Sequence, residues 1–86
     1  MIQFELTINC ADGIHARPAG QLVKEAQKYS SAVTLEKSGK TADLKRLFAV
    51  LGLNVKQGNT VKIFLEGENE QAEAEALKTY MQQNFC

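Results

Sequence analysis

The spacing of apolar residues changes repeatedly along this chain of 86 residues, and no other feature limits its possible folds as strongly. At the start, Ile2, Phe4, Leu6 and Ile8 alternate strictly with polar residues. A period of two places these four side chains on one face of a β-strand. The chain therefore begins with a half-buried strand.

Similar patterns predict further strands. Val33 and Leu35 share one face of a strand at 32–37, and the following Ser38-Gly39 pair is typical of a tight turn. This turn predicts a hairpin with a short strand at 40–43. A fourth alternating stretch predicts a strand at 60–66.

Between the strands, apolar residues recur every three or four positions, which is the period of an amphipathic helix. Asp43 and Asn69 are expected to cap the second and third helices, and Gly52 to end the second in a left-handed conformation. The expected apolar faces are Ala19, Leu22, Val23, Ala26 and Tyr29 after Pro18; Leu44, Leu47, Phe48 and Leu51; and Ala76, Leu77, Tyr80 and Met81.

The predicted order is strand, helix, strand, strand, helix, strand, helix. This order is typical of an α+β fold, with helices on one face of a mostly antiparallel sheet. The length suits one small domain spanning 1–86, and no repeat or linker interrupts it.

Charge is neutral overall but uneven along the chain. Up to Leu65 the chain has nine basic and five acidic residues. From Glu66 onward it has five glutamates and one basic residue, Lys78. Such polarity favours an acidic protein partner on the basic side. Nucleic acid is disfavoured, because the balance is neutral and no basic stretch is interleaved with aromatic residues.

No apolar run approaches the roughly 20 residues that span a bilayer, and the first residues lack the basic region of a secretory signal. A cytoplasmic protein without membrane insertion is expected. Cys10 and Cys86 are expected to stay reduced. Since no second ligand cluster accompanies Cys10, it is expected to be a small buried thiol rather than a metal ligand, and no cofactor is expected.

The candidate active site is Gly13-Ile14-His15-Ala16-Arg17-Pro18-Ala19-Gly20, which contains the only histidine and the only proline. Proline suits a first helical turn, so His15 is expected at a helix start. The backbone N–H groups there, including those of Ala16 and Arg17, attract anions. The planar guanidinium of Arg17 matches phosphate oxygens. These features indicate a histidine that accepts a phosphoryl group.

The same motif, together with the later Lys-Ser-Gly-Lys, Gly-Leu-Asn-Val-Lys-Gln-Gly and Glu-Gly-Glu-Asn-Glu stretches, resembles the HPr family along the whole chain. HPr is the histidine-containing phosphocarrier of the bacterial phosphoenolpyruvate:sugar phosphotransferase system. The resemblance implies an open-faced βαββαβα sandwich, in which three helices cover one face of a four-stranded antiparallel sheet. It also implies phosphorylation on Nδ1 of His15 by Enzyme I and transfer to Enzyme IIA domains. We expect a monomeric carrier with a transient phosphohistidine rather than a stand-alone catalyst.

Phe48 and its neighbours have two interpretations. Simple core packing explains apolar residues at helical spacing, but a short apolar helix beside basic residues also resembles the surface that HPr-like proteins show to their partners. The predicted docking face consists of Gly20, Lys24, Lys45, Arg46, Leu47, Phe48 and Leu51.

Arg46 departs from the family pattern. HPr-like proteins commonly carry a serine at the start of the second helix, and in the low-GC Gram-positive branch a regulatory kinase phosphorylates it. A guanidinium has no hydroxyl group, so this regulatory input is not expected here.

Two other function classes remain open from the sequence. One is an HPr-like regulator that acts through binding alone, or a carrier of the nitrogen branch. The other is a small ligand-sensing module of the ferredoxin-like kind, which has a related element order but lacks a recognisable pocket motif here.

Overall fold

The computed structural model describes residues 1–10, 13–14 and 16–84, including the backbone but not the side chain of Ala16. Within these residues seven elements form in the predicted order. The strands are β1 (Ile2–Thr7), β2 (Ala32–Lys37), β3 (Lys40–Asp43) and β4 (Thr60–Glu66). The helices are α1 (Ala16–Gln27), α2 (Leu47–Gly52) and α3 (Glu70–Asn84).

The strands form one antiparallel sheet in the order β1-β4-β2-β3. Ile63 of β4 lies opposite Phe4 on one side and Leu35 on the other, so the apolar side chains of all strands share a face. That face is buried beneath the helices: Leu35, Ile63 and Leu77 of α3 are fully buried. The predicted α+β open-faced sandwich is confirmed.

The apolar face of α3 differs from the prediction by one position. Ala76 is exposed, whereas Ala74 is buried together with Leu77 and Met81. The spacings between these three residues, three and four, fit one helical face better than adjacent Ala76 and Leu77 do.

The second helix starts three residues later than predicted, at Leu47 rather than Leu44. Leu44 continues the sheet, because its N–H donates to the carbonyl of Val33 at 2.9 Å. Asp43 does not cap the helix; its Oδ1 accepts the N–H of Lys45 at 2.9 Å and so shapes the turn before α2. Leu44 is thus a fully buried core residue outside the helix.

The predicted left-handed cap at Gly52 is wrong. Gly52 is the last residue of α2, and Leu53 after it keeps right-handed helical angles. The positive φ occurs at Asn54, at 54°. Asparagine is among the few residues other than glycine that adopt this conformation readily.

Side chains at the start of α3 also differ from the prediction. Asn69 does precede the helix, but its side-chain nitrogen donates to Ser30 Oγ at 3.4 Å. Glu70 takes the capping role instead, since its Oε1 accepts the N–H of Gly67 at 3.1 Å.

Glu73 of α3 joins the helix to the turn before β2. Its carboxylate accepts the N–H groups of Ser30 and Ser31 at 2.8 and 3.0 Å, and the hydroxyl of Ser31 at 2.5 Å. Ser31 has no exposed surface, so this contact satisfies a buried hydroxyl. The Ser31 hydroxyl bond, together with those from the backbone, lowers the pKa of Glu73 below its ordinary value of 4.5.

We expect Glu73→Gln to lower the free energy of unfolding at neutral pH, because the amide accepts fewer of these bonds. A carboxylate whose pKa is lower in the folded chain stabilises it above the unfolded pKa and loses that effect as pH falls through the folded pKa. The difference in the free energy of unfolding between the variant and wild type should therefore be full above about pH 5 and shrink below pH 4.5. Urea unfolding at several pH values measures it, with Glu75→Gln on an exposed face of α3 as control. A difference that does not change with pH contradicts the assignment.

No helix within the described ranges is long and apolar enough to cross a membrane.

Candidate active site

Gly13 and Ile14 are held against the segment that follows α2. The N–H of Ile14 donates to the carbonyl of Val55 at 3.0 Å, and the side chain of Ile14 is buried. Gly13 has a φ of 63°, and a Cβ there would lie 2.7 Å from Cα of Lys56. Only glycine fits both the backbone angle and this close approach. These contacts fix the position of the backbone just before α1.

The first turn of α1 is suited to an anion. The helix begins at Ala16, and Pro18 is its third residue, as the preset φ of proline favours. The N–H groups of Ala16 and Arg17 have no partner within the helix, because no carbonyl lies four residues earlier in it. Arg17 is exposed, and the turn carries no acidic side chain. Positive charge at this helix end is thus not neutralised from within the turn.

Two predicted residues lie outside the described part of the chain. These are His15 and Cys86. Their assignments therefore stay predictions: His15 as the phosphoryl acceptor, and Cys86 as a reduced thiol. Cys10 is half-buried, and its Sγ donates to the carbonyl of Asn84 at 3.6 Å.

The predicted docking face combines residues of α1, of α2 and of the turn before α2, and the two helices pack against each other. Phe48 is 85% exposed, whereas Val50 on the opposite side of α2 is fully buried. Leu47 and Leu51 are half-buried against the core. The sequence alone left open which apolar residues of this helix are core, and the structure divides them in this way. An exposed aromatic side chain beside half-buried leucines forms an apolar patch, which is typical of protein interaction surfaces.

The remaining members of the predicted face also lie at the surface. Lys24 is exposed on α1, and nothing lies within 4 Å of a Cβ built on Gly20, so α1 is open there. Arg46 is 79% exposed, with its Nε 3.7 Å from Oδ2 of Asp43. Such an exposed pair contributes little to stability and leaves the guanidinium accessible.

Lys45 differs from the other cations of the predicted face. Its Nζ donates to the carbonyl of Tyr29 at 2.8 Å, and the Gln27 side chain donates to the carbonyl of Lys45 at 3.0 Å. Lys45 thus joins the end of α1 to the approach of α2. Beside it, the Tyr29 hydroxyl donates to Glu25 at 2.8 Å, and burial together with this bond raises the pKa of Tyr29 above its ordinary value.

The sequence interpretation missed Val55 as the anchor of Ile14. A signal was present, because Leu53 and Val55 alternate with polar residues, and both are buried. Among the residues that the structure describes, no group of three or more metal-ligating side chains occurs.

Comparison with known families tests the resemblance directly. A family model described as the PTS HPr component phosphorylation site matches residues 2–83. The chain belongs to the HPr family. This placement confirms the predicted resemblance and excludes the ferredoxin-like alternative.

Relatives in the HPr family include carriers and a regulatory homologue. The phosphocarrier protein HPr of Lysinibacillus sphaericus is 45% identical over 69 residues, 80% of this chain and 78% of that protein. The HPr-like protein Crh of Bacillus subtilis is 36% identical over 83 residues, 96% of this chain and 98% of Crh. HPr of Thermoanaerobacter tengcongensis superposes with a TM-score of 0.92 at 35% identity, covering 99% of this chain and 96% of that one. A crystal structure of Crh, a domain-swapped dimer, has a TM-score of 0.76 at 35% identity and covers 100% of this chain and 99% of that one.

Proposed function

We propose that this protein is a phosphoryl carrier of the phosphoenolpyruvate:sugar phosphotransferase system. His15 accepts the phosphoryl group from Enzyme I and passes it to Enzyme IIA domains, and the protein works as a monomer in the cytoplasm. The observation that carries the proposal is the first turn of α1. It begins directly after position 15, presents Arg17 to solvent and contains no acidic residue.

The proposed chemistry uses neutral imidazole as the nucleophile. Nδ1 of His15 attacks phosphorus as the bond between phosphorus and its leaving group on Enzyme I breaks, and no cofactor takes part. In the loose transition state of phosphoryl transfer, negative charge spreads over the three equatorial oxygens. The N–H groups of Ala16 and Arg17 and the guanidinium of Arg17 bind these oxygens. The positive helix end also favours neutral imidazole over imidazolium, which keeps the nucleophile available near neutral pH.

The acceptor alone is not a catalyst, because transfer needs a donor held in line with it. The proposed docking face supplies this alignment. Phe48, with Leu47 and Leu51 beneath it, offers an apolar contact, and Lys24 and Arg46 offer positive charge to an acidic partner. Partner binding of this kind is transient, as a carrier requires.

Replacing Phe48 with alanine is expected to raise the KM for Enzyme I about tenfold or more, as for an exposed aromatic anchor of an interface. The free energy of unfolding should change by less than about 0.5 kcal/mol, because the side chain is 85% exposed. Steady-state transfer kinetics and urea unfolding measure the two effects. Phe64→Ala is the control, since Phe64 lies on the face of the sheet that the helices do not cover. An unchanged KM for Phe48→Ala shows that the docking face is misplaced.

Incubation with phosphoenolpyruvate and Enzyme I tests the proposal as a whole. Intact mass should show one added phosphoryl group, which an Enzyme IIA domain then removes. A protein that gains the group but never gives it up is not a carrier.

The similarity to Crh favours a second candidate, a regulator that acts mainly by binding partners. In that case Enzyme I and phosphoenolpyruvate leave the mass of the protein unchanged. Oligomeric state does not separate the two candidates, because both Crh and the HPr of Thermoanaerobacter tengcongensis have crystallised as dimers. Arg46 offers no hydroxyl for a regulatory kinase in either case.

A further inference from the structure

Lys37, the last residue of β2, reaches across to the chain just beyond α2. Its Nζ donates to the carbonyl of Asn54 at 2.8 Å and to the carbonyl of Leu53 at 3.2 Å. A charged donor makes stronger hydrogen bonds than a neutral one, and two of the three ammonium hydrogens are used here. Neither the motif around His15 nor the predicted docking face includes this lysine.

The segment at 53–56, to which Lys37 is hydrogen-bonded, contacts both the docking helix α2 and the loop before α1. On one side it ends α2, since the N–H groups of Leu53 and Asn54 donate to carbonyls of that helix at 3.2 and 3.1 Å. On the other side, the Val55 carbonyl accepts the N–H of Ile14 at 3.0 Å, and Gly13 approaches Lys56. A displacement of this segment would therefore move the Phe48 helix and the loop before α1 together.

The end of this segment is fixed locally, because the Lys56 N–H donates to Oδ1 of Asn59 at 2.8 Å. Its start depends on α2. The six-residue helix α2 has no side-chain cap at its start and no basic residue in its last turn. Asn54, with a φ of 54°, ends the helical backbone in a left-handed conformation. Carbonyls at a helix end need partners from elsewhere, and Lys37 of the sheet supplies a cation to them.

We propose that Lys37 is a positioning residue for phosphoryl transfer. By binding the Leu53 and Asn54 carbonyls, it fixes the orientation of the docking helix relative to the loop that leads to His15. The kinetic part of this inference rests on the proposed carrier function, whereas the structural part does not.

Amide hydrogen exchange of the full-length protein tests the structural part. Lys37→Met keeps the length of the aliphatic side chain and removes the ammonium group. We expect exchange at the N–H groups of Ile14 and Asn54 to become about tenfold faster, as for the loss of hydrogen bonds from a charged donor, with exchange at Ile63 in the central strand unchanged. Lys37→Arg should restore most of the protection. Lys40→Met is the matched control, because Lys40 is the exposed cross-strand neighbour of Lys37 in the same hairpin.

Transfer kinetics test the functional part. With Enzyme I as donor, kcat/KM should fall about tenfold in Lys37→Met, because small displacements of reacting groups are costly. It should stay at the wild-type value in Lys40→Met and recover in Lys37→Arg. If Lys37→Met does not fold, Lys37→Gln, which keeps one donor group, gives the same comparison.

Equal exchange at Ile14 in the Lys37→Met and Lys40→Met variants overturns the inference, whatever the kinetics. Faster exchange with unchanged kcat/KM also overturns it, because the segment would then move without consequence for transfer. A wild-type protein that Enzyme I does not phosphorylate refutes the carrier function instead. That result is distinguishable, because the effect of Lys37 on exchange does not depend on it.

Discussion

A His15→Ala variant is expected to accept no phosphoryl group from Enzyme I while unfolding at nearly the same urea concentration as wild type. Removing the imidazole removes the only nucleophile that the proposal allows, so the loss of transfer should be complete rather than partial. The fold should persist, because Ile14 and Gly13 make their own contacts with Val55 and Lys56, and α1 packs through buried residues such as Leu22.

Intact mass and urea unfolding of the two proteins, measured side by side, check this expectation. Wild type mixed with the same Enzyme I preparation is the control for donor activity. Phosphorylation of the variant to the wild-type extent would place the acceptor at another residue.

A Gly13→Ala variant is expected to be less stable than wild type and to transfer poorly. The left-handed backbone at Gly13 costs a residue with a Cβ about 1–2 kcal/mol. The added Cβ would also meet the backbone of Val55 and Lys56, and such overpacking costs about 1–3 kcal/mol more. Any relief of this clash moves Ile14 away from Val55 and so displaces the chain that leads to His15.

Gly39→Ala separates the two effects. Gly39 in the β2–β3 hairpin also has a positive φ, at 84°, but nothing lies within 4 Å of a Cβ built there. Urea unfolding should therefore show the backbone cost alone for Gly39→Ala, with transfer kinetics unchanged. Equal destabilisation of the two variants, with normal transfer in both, would contradict the close packing assigned to Gly13.

The strands and the fold class could be predicted because the alternation of apolar and polar residues is a local pattern, and the tertiary structure agrees with it. The bounds of α2 could not, because they depend on partners distant in sequence. Leu44 fits the helical period, yet its N–H pairs with the Val33 carbonyl and so continues the sheet. Local spacing cannot reveal that a neighbouring strand competes for the same donor.

The candidate site, too, could be predicted only in part from the sequence. Arg17 and the first turn of α1 follow from a contiguous motif, and proline fixes the local backbone. The supports of that turn come from elsewhere: Val55 holds Ile14, and Lys37 holds Leu53 and Asn54. Lysines look alike in a sequence. Only the fold shows that Lys37 and Lys45 bind carbonyls, while Lys24 lies exposed.

Mapping of the phosphoryl group on the wild-type protein tests the central claim most directly. After reaction with phosphoenolpyruvate and Enzyme I, the protein is digested at alkaline pH and the fragments are identified by mass. We expect one modified fragment, with the group on His15, stable in base and lost in acid as for a phosphoimidazole. A group that survives acid, or one that maps to a serine or to any residue other than His15, would contradict the account.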